Sequence, residues 1–183
     1  MGWSVKGTVF VDYVRMVRGR KDVDWRRYLK AEDFSFLTEI IEPDVWYPME
    51  TFERLGLGIL AEIAGGDVNS VYTWGRFAMD DLFRLHPMLI AEDNPQESLM
   101  RFQVLRSSFF DFEAIEIKSL MENSAAIEVR YHMGPVAEEA SSHQTAGFLE
   151  RLIELAGAKN TRFQFLQRAW QGAGATAIQL DWD

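Results

Sequence analysis

The chain reads as an α+β domain. Helices come first, then two β-hairpins separated by a helix, with the strands forming one antiparallel sheet that carries helices on one face. Three observations carry this expectation. Between residues 49 and 107 the apolar positions recur at steps of three and four, the spacing of a helix face. Two pairs of later runs alternate apolar and polar residues, as half-buried strands do. Each pair is joined by a short turn-rich link, which suits antiparallel neighbours, whereas parallel strands need a long crossover.

The elements follow in order. Val9 to Val17 reads as a short helix or an entry from strand to helix, and "DVDWRRYLK" as a short helix with Asp22 as its cap. "EPDVWYP" reads as extended, because Pro48 disfavours helical backbone at Tyr47. A clear helix follows, with Phe52, Leu55, Gly56, Ile59 and Ile63 on one face and Gly65-Gly66 as its stop. Within it, Gly56 to Ala61 fits the pattern G-x-G-x-x-A. A dinucleotide turn must follow a strand and open a helix, whereas this pattern lies inside a helix already running, so nucleotide binding is excluded. Gly56 sits on the apolar stripe and is expected to admit a close neighbour. Gly58, about 200° further round, is expected nearer solvent.

Asp67 is the expected cap of a helix over 68–85, with Val71, Gly75, Ala78, Leu82 and Leu85 inward and Pro87 as its limit. Asn94-Pro95-Gln96-Glu97 combines an N-cap, a proline at the first helical position and a glutamate two residues beyond it, and opens a helix to about Ser107. The strands "FEAIEIKSL" and "AIEVRYHM" flank the turn "ENS". Ser141 with Gln144 is expected to open a helix ending at Gly157, and "NTRFQFLQRAW" pairs with "TAIQLDW" across a glycine-rich turn at Gly172 to Ala177.

Composition sets the class. With 183 residues, 48% hydrophobic and 13% aromatic, the chain can bury one sizeable core, and residues 1–183 read as a single domain. No apolar run approaches the roughly 20 residues of a membrane span, and the N-terminus lacks the pattern of a signal peptide. Lys6 stands where myristoylation would need Ser or Thr. There is no cysteine, so disulfides, thiolate metal sites and cysteine nucleophiles are excluded. A cytoplasmic protein is expected, with no membrane partner. A net charge of −9 argues against nucleic acid. Residues 1–30 nevertheless hold 8 Lys/Arg against 3 Asp/Glu. Two readings fit that asymmetry: a basic helix pair packed on an acidic body, or an anionic partner at the N-terminal face.

Few residues carry chemistry. His86, His132 and His143 form no metal-binding spacing, and neither a nucleophile elbow nor a phosphate loop occurs. The acidic pairs Asp80-Asp81 and Glu138-Glu139 read as solvated surface, because adjacent helical residues point in different directions. Of the six tryptophans most should be core. Trp46-Tyr47 beside Pro48 has a second reading, as the rim of a pocket.

Four stretches carry a family likeness: "VKGTVF", "EPDVWYPMETFERL", "TWGRF", and "GFLERLIELAGAKNTRFQF" closing on "IQLDW". They resemble a bacterial domain family best known from myxobacteria. That family is similar in turn to the fold shared by haem nitric-oxide-binding (H-NOX) domains and the TRAPP vesicle-tethering subunits. H-NOX domains carry a haem-ligating histidine late in a long helix before the sheet. Here that position falls at or near Arg106, and no histidine occurs between His86 and His132. Of the family's Tyr-x-Ser-x-Arg clamp on the haem propionates, Tyr131 is present, but Met133 and Pro135 replace Ser and Arg. A protonated guanidinium has no lone pair for iron. TRAPP subunits use a cysteine for acylation, and this chain has none.

The resemblance therefore implies a fold able to enclose a small hydrophobic ligand or present a dimer face, with no cofactor and no haem. The expected function is a non-enzymatic ligand-binding or regulatory domain that holds such a ligand or acts on a protein partner. The alternative is a dimeric assembly domain without a small ligand. An enzyme ranks third, since no catalytic constellation emerges. The candidate pocket residues are Trp46, Tyr47, Phe52, Trp74, Phe102, Arg106 and Tyr131. A homodimer is expected through helices around residues 49–85, anchored by Met49, Trp74 and Met79. The sheet's polar face (Glu116, Lys118, Glu128, Arg130, His132, Gln179 and Asp181) should stay open.

Overall fold

Aromatic side chains dominate the first 67 residues and decide how their short elements pack. The computed structural model describes residues 2–183, which form two compact units: residues 2–67 with 107–112, and residues 68–106 with 113–183.

In the first unit, β1 (Ser4–Lys6) pairs antiparallel with β2 (Trp46–Pro48), Val5 opposite Tyr47. The returning segment adds a third backbone: the Lys6 amide donates to the Phe109 carbonyl at 2.8 Å, and Val5 bridges Phe110. Helix α1 (Gly7–Gly19) and helix α2 (Met49–Glu62) spring from these two strands. Phe10 of α1 stacks on Tyr47 at 4.6 Å and meets the edge of Phe36 at 5.4 Å, while Tyr13 stacks on Phe52 of α2 at 4.2 Å. Buried Asp33 ties in the 3-10 turn Ala31–Leu37. Its carboxylate accepts from the Lys30 amide at 2.8 Å, the Thr51 hydroxyl at 2.7 Å and Arg54 Nε at 2.7 Å. Burial pushes the Asp33 carboxyl up, but Arg54, Thr51 and the Lys30 amide together leave it below its ordinary value.

The basic N-terminal segment finds its acceptors within this unit. Arg18 donates to the carbonyls of Phe36, Leu37 and Glu39, Arg20 pairs with Asp22 at 2.8 Å, and Arg27 reaches Glu62 at 3.1 Å. Three expectations are corrected here. The helix read at 22–30 is only a 3-10 turn, Trp25–Arg27, and its cap is Asp24, which accepts from the Arg26 amide. Asp22 is engaged by Arg20 instead. The buried set of α2 is Met49, Thr51, Phe52, Leu55, Gly58, Ile59 and Leu60. Gly58 lies under Trp25 and Tyr28, and Gly56 is half-buried beside Tyr13. Two partners on different sides, α1 and the Trp25 turn, make the buried arc wider than the stripe read from spacing. The pairing of β1 with β2 was also missed, because strands of three residues leave no periodicity to read.

The second unit holds α3 (Val68–Leu85), α4 (Pro95–Leu105), β3 (Ile115–Met121), β4 (Ser124–Val129), α5 (Pro135–Leu155), β5 (Arg162–Gln167) and β6 (Thr176–Asp181). The sheet runs β3-β4-β6-β5, antiparallel throughout. Ala125, Ile127 and Val129 of β4 and Ile178 and Leu180 of β6 are buried, as are Leu149, Leu152 and Ile153 of α5. On the opposite face Lys118 Nζ lies 2.6 Å from Glu116 and 3.9 Å from Glu128, in line with the polar face read from alternation. The cap of α4 forms as expected: the Asn94 side chain accepts from the Glu97 amide at 3.0 Å, with Pro95 at the start.

Two helices differ from the sequence reading. Helix α5 begins at Pro135, well before Ser141, because Gly134-Pro135 supplies the entry. It ends as expected, with Gly157 in the left-handed region (φ 98°). The buried stripe of α3 is Val71, Gly75 and Met79, whereas Ala78 is exposed and Leu85 is 76% exposed. The stripe is narrow because α3 meets α5 by a close backbone crossing. A Cβ at Gly75 would lie 2.0 Å from the Gln144 carbonyl oxygen, and one at Gly147 would lie 2.1 Å from that of Tyr72. Beside the crossing, Arg76 pairs with Glu154 at 2.6 Å and Arg151 with Asp80 at 2.8 Å. Tyr72 donates to Glu150; burial first, then that hydrogen bond, pushes its phenol up to about 12. Among the described residues no helix is long and apolar enough to cross a membrane.

Candidate functional site

The candidate pocket residues divide between the units. Trp46, Tyr47 and Phe52 belong to the first. Tyr47 and Phe52 are buried in its aromatic core, and the Tyr47 hydroxyl accepts from the Glu42 amide at 2.9 Å. Trp46 is exposed, with Lys6 Nζ 4.3 Å from its ring centre, a cation–π contact at the surface. Trp74, Phe102, Arg106 and Tyr131 belong to the second. Trp74 is half-buried. Phe102 is buried against Phe148, with ring centres 5.1 Å apart. Tyr131 is buried, its hydroxyl 2.6 Å from the Thr145 hydroxyl on α5.

Arg106 stands apart. It caps the end of α4, its amide donating to the Phe102 carbonyl, and only 9% of it is exposed. One guanidinium nitrogen, Nη2, pairs with the exposed Glu113 carboxylate at 2.8 Å. Its Nε is buried and has no acceptor among the described residues. Arginine stays protonated, and a buried donor without an acceptor costs about 1–3 kcal/mol, more when charged.

The histidines do not converge. His86 and His132 are exposed. His143 is half-buried, edge-on to Phe165 at 4.9 Å and 6.0 Å from Trp170. Burial pushes its imidazole down; Glu139 opposes the shift and Arg168 adds to it. No three His, Cys, Asp or Glu side chains among the described residues group as a metal site.

Glu138 corrects the reading of the acidic pairs as solvated surface. It is 4% exposed, and its two oxygens accept from the Tyr131 amide at 2.9 Å and the Met133 amide at 3.1 Å. This clamp holds the intervening His132 in the left-handed region (φ 58°). A glutamate in the first turn after Gly-Pro is the signal that could have revealed it. Asp80 likewise serves Arg151, half-buried, rather than standing in solvent.

Beside the clamp lies a cleft of about 250 Å³, which the sequence reading missed. It is lined by Arg130, His132, Met133, Pro135 and Glu138 on the β4–α5 side, and by Ala169, Ala173 and Gly174 of the β5–β6 connection.

Two of the three expected dimer anchors are corrected as well, while Trp74 is half-buried. Met49 (4% exposed) and Met79 (0%) are interior residues with no surface to offer. The exposed large apolar side chains of the second unit's helical segments include Phe77, Leu85, Met88, Met100, Val104 and Val136.

No family model matches the chain, and no curated protein matches it. Solved structures do match. The unliganded Fe(II) H-NOX protein of K. algicida is similar over 97% of this chain and 96% of its own, with TM-score 0.67 and 12% identity. The S. oneidensis H-NOX protein in its Fe(II)NO state is similar over 97% and 99%, with TM-score 0.63 and 10% identity. A mutant of the T. tengcongensis H-NOX protein is similar over 97% of both chains, with TM-score 0.61 and 13% identity. Near-complete coverage at so low an identity is a likeness of backbone, and on it the chain has a distant H-NOX-like fold.

Proposed function

We propose that this chain is a non-enzymatic ligand-binding or regulatory domain on the H-NOX-like fold, one that holds a small apolar ligand in place of haem. The observation that carries the reading is Arg106: a permanently charged, buried side chain whose Nε has no acceptor. The sequence resemblance implies that it stands at or near the position where H-NOX domains carry their iron-ligating histidine. A guanidinium offers iron no lone pair, but it offers a donor to the polar end of another ligand. Phe102, one turn earlier on α4 and packed on Phe148, supplies apolar surface beside it. No histidine supports the haem alternative, since His86 and His132 are exposed and His143 packs against Phe165 and Trp170.

The test is expression with haem supplementation, followed by absorbance and by native against denatured mass. The expected result is no Soret band and a non-covalent mass released on denaturation, lost in Arg106→Met. A Soret band that disappears on replacing His86 or His132 would overturn the proposal.

A second reading, a dimeric assembly domain without a small ligand, draws support from the exposed Phe77, Leu85, Met88, Met100 and Val104. It predicts a dimer by light scattering across a dilution series that the paired change Phe77→Glu and Leu85→Glu dissociates, with native and denatured masses differing only by subunit number.

A further inference from the structure

The cleft beside the Glu138 clamp has the parts of a recognition site that the reading of Arg106 does not use. Arg130 extends from the end of β4, exposed, and its side chain makes no hydrogen bond or ion pair among the described residues. His132, two residues on, lines the same cleft. Its backbone is fixed from both sides, because the amides before and after it are held by the two oxygens of one buried carboxylate. A non-glycine residue rarely takes a positive φ, and where the surroundings enforce it the position often has a task. Here the enforced turn sets an imidazole in the same cleft as a guanidinium.

The opposite wall is small and apolar: Ala169, Ala173 and Gly174. A Cβ at Gly174 would stand 3.7 Å from Arg130 Nη2, so the glycine leaves open the space in front of the guanidinium. The one acid lining the cleft, Glu138, already accepts two amide protons, which offsets much of its charge. Of the remaining side chains, the guanidinium of Arg130 offers only donors and the imidazole of His132 can offer one, and a guanidinium binds carboxylate or phosphate oxygens. At about 250 Å³, room for roughly eight waters at about 30 Å³ each, the cleft holds more than a bare ion.

We propose that the cleft between the β4–α5 and β5–β6 connections binds a small molecule through an oxyanion group, a carboxylate or a phosphate, held by the Arg130 guanidinium and the His132 imidazole. The test is a titration of the full chain followed by amide chemical shifts, with inorganic phosphate and acetate in separate arms and sodium chloride at matched ionic strength as the reference. The expected result is saturable movement of the Met133, Ala173 and Gly174 amides with at least one oxyanion, and which arm saturates names the group.

Arg130→Gln should weaken binding at least tenfold and His132→Asn several-fold. Because both side chains are exposed, amides elsewhere should keep their wild-type shifts. Gly174→Val keeps both side chains but fills the cleft, and should abolish saturation. Movement that chloride reproduces, binding that survives Arg130→Gln, or binding that survives Gly174→Val would each overturn the proposal. The last result would show an oxyanion attracted to surface charge alone.

Discussion

The crossing of α3 and α5 makes a sharp prediction. Gly75→Ala places a methyl group 2.0 Å from the Gln144 carbonyl oxygen, 2.9 Å from its carbon and 3.1 Å from the Phe148 amide nitrogen. Ordinary contact begins at 3.4 Å, so the helices must part by more than 1 Å. The obstacle is backbone in a regular helix and has no rotamer to change. Overpacking of this kind costs about 1–3 kcal/mol, and we take the upper end. Parting the helices also strains the Arg76–Glu154 and Arg151–Asp80 pairs beside the crossing. Replacing a helical glycine by alanine returns about 0.5–1 kcal/mol of backbone entropy, leaving a net loss of about 2 kcal/mol. For a chain of this size that lowers Tm by about 4–8 °C. Gly147→Ala, 2.1 Å from the Tyr72 oxygen, should behave alike. Because one separation relieves both clashes, the double variant should cost less than the sum of the singles. Gly19→Ala in α1, where a Cβ meets nothing within 4 Å, is the control and should be neutral or stabilising. Urea unfolding of the four variants is the assay. Wild-type stability in Gly75→Ala, or strict additivity in the double variant, would rule out the close crossing.

Four further outcomes are expected. Gly58→Ala should destabilise by about 1–2 kcal/mol, since its methyl would lie 2.9 Å from Trp25 Cζ3, whereas Gly56→Ala, 3.2 Å from the movable rim of Tyr13, should change urea stability by no more than about 0.5 kcal/mol. Asp33 has a folded pKa below its unfolded one, so its contribution is full at neutral pH and fades as pH falls through the ordinary carboxylate range and below. Arg54→Met, which strands that carboxylate, should cost about 3–5 kcal/mol, and denaturation curves at stepped pH should show the acid-side slope reduced. Tyr72, raised to about 12, stabilises fully below the ordinary phenol range and loses that effect as pH climbs toward 12; phenolate absorbance should show one late-titrating tyrosine that Tyr72→Phe removes. Glu138→Ala leaves two amides without their acceptor and should cost about 2–4 kcal/mol, while His132→Gly should stabilise by about 1 kcal/mol, both read as shifts in Tm.

Features that depend on neighbours in the chain were legible in the residues alone. Proline and glycine punctuation placed α2, α3 and α4 within a residue or two, and Asn94 with Glu97 produced the cap it announced. Alternation placed β3, β4, β5 and β6 and the polar face of their sheet. The position of Gly56-Leu57-Gly58 inside a running helix was enough to set aside a nucleotide turn.

Features that depend on partners distant in sequence emerged only on folding. Whether Gly56 or Gly58 is buried turns on Trp25 and Tyr28, some thirty residues away, and helical spacing carries no record of them. Met79 lies inside and Leu85 outside because α5 meets α3 through glycine backbone, so the buried arc of α3 is narrower than its apolar one. Glu138 looked like half of a solvated acidic pair until the chain turned two amides onto it, and that turn brought Arg130 and His132 to one cleft. Arg106 stood out in the sequence only through the family resemblance. Only the folded chain made it a buried guanidinium with one unanswered donor, because burial is a property of the surroundings and not of the residue.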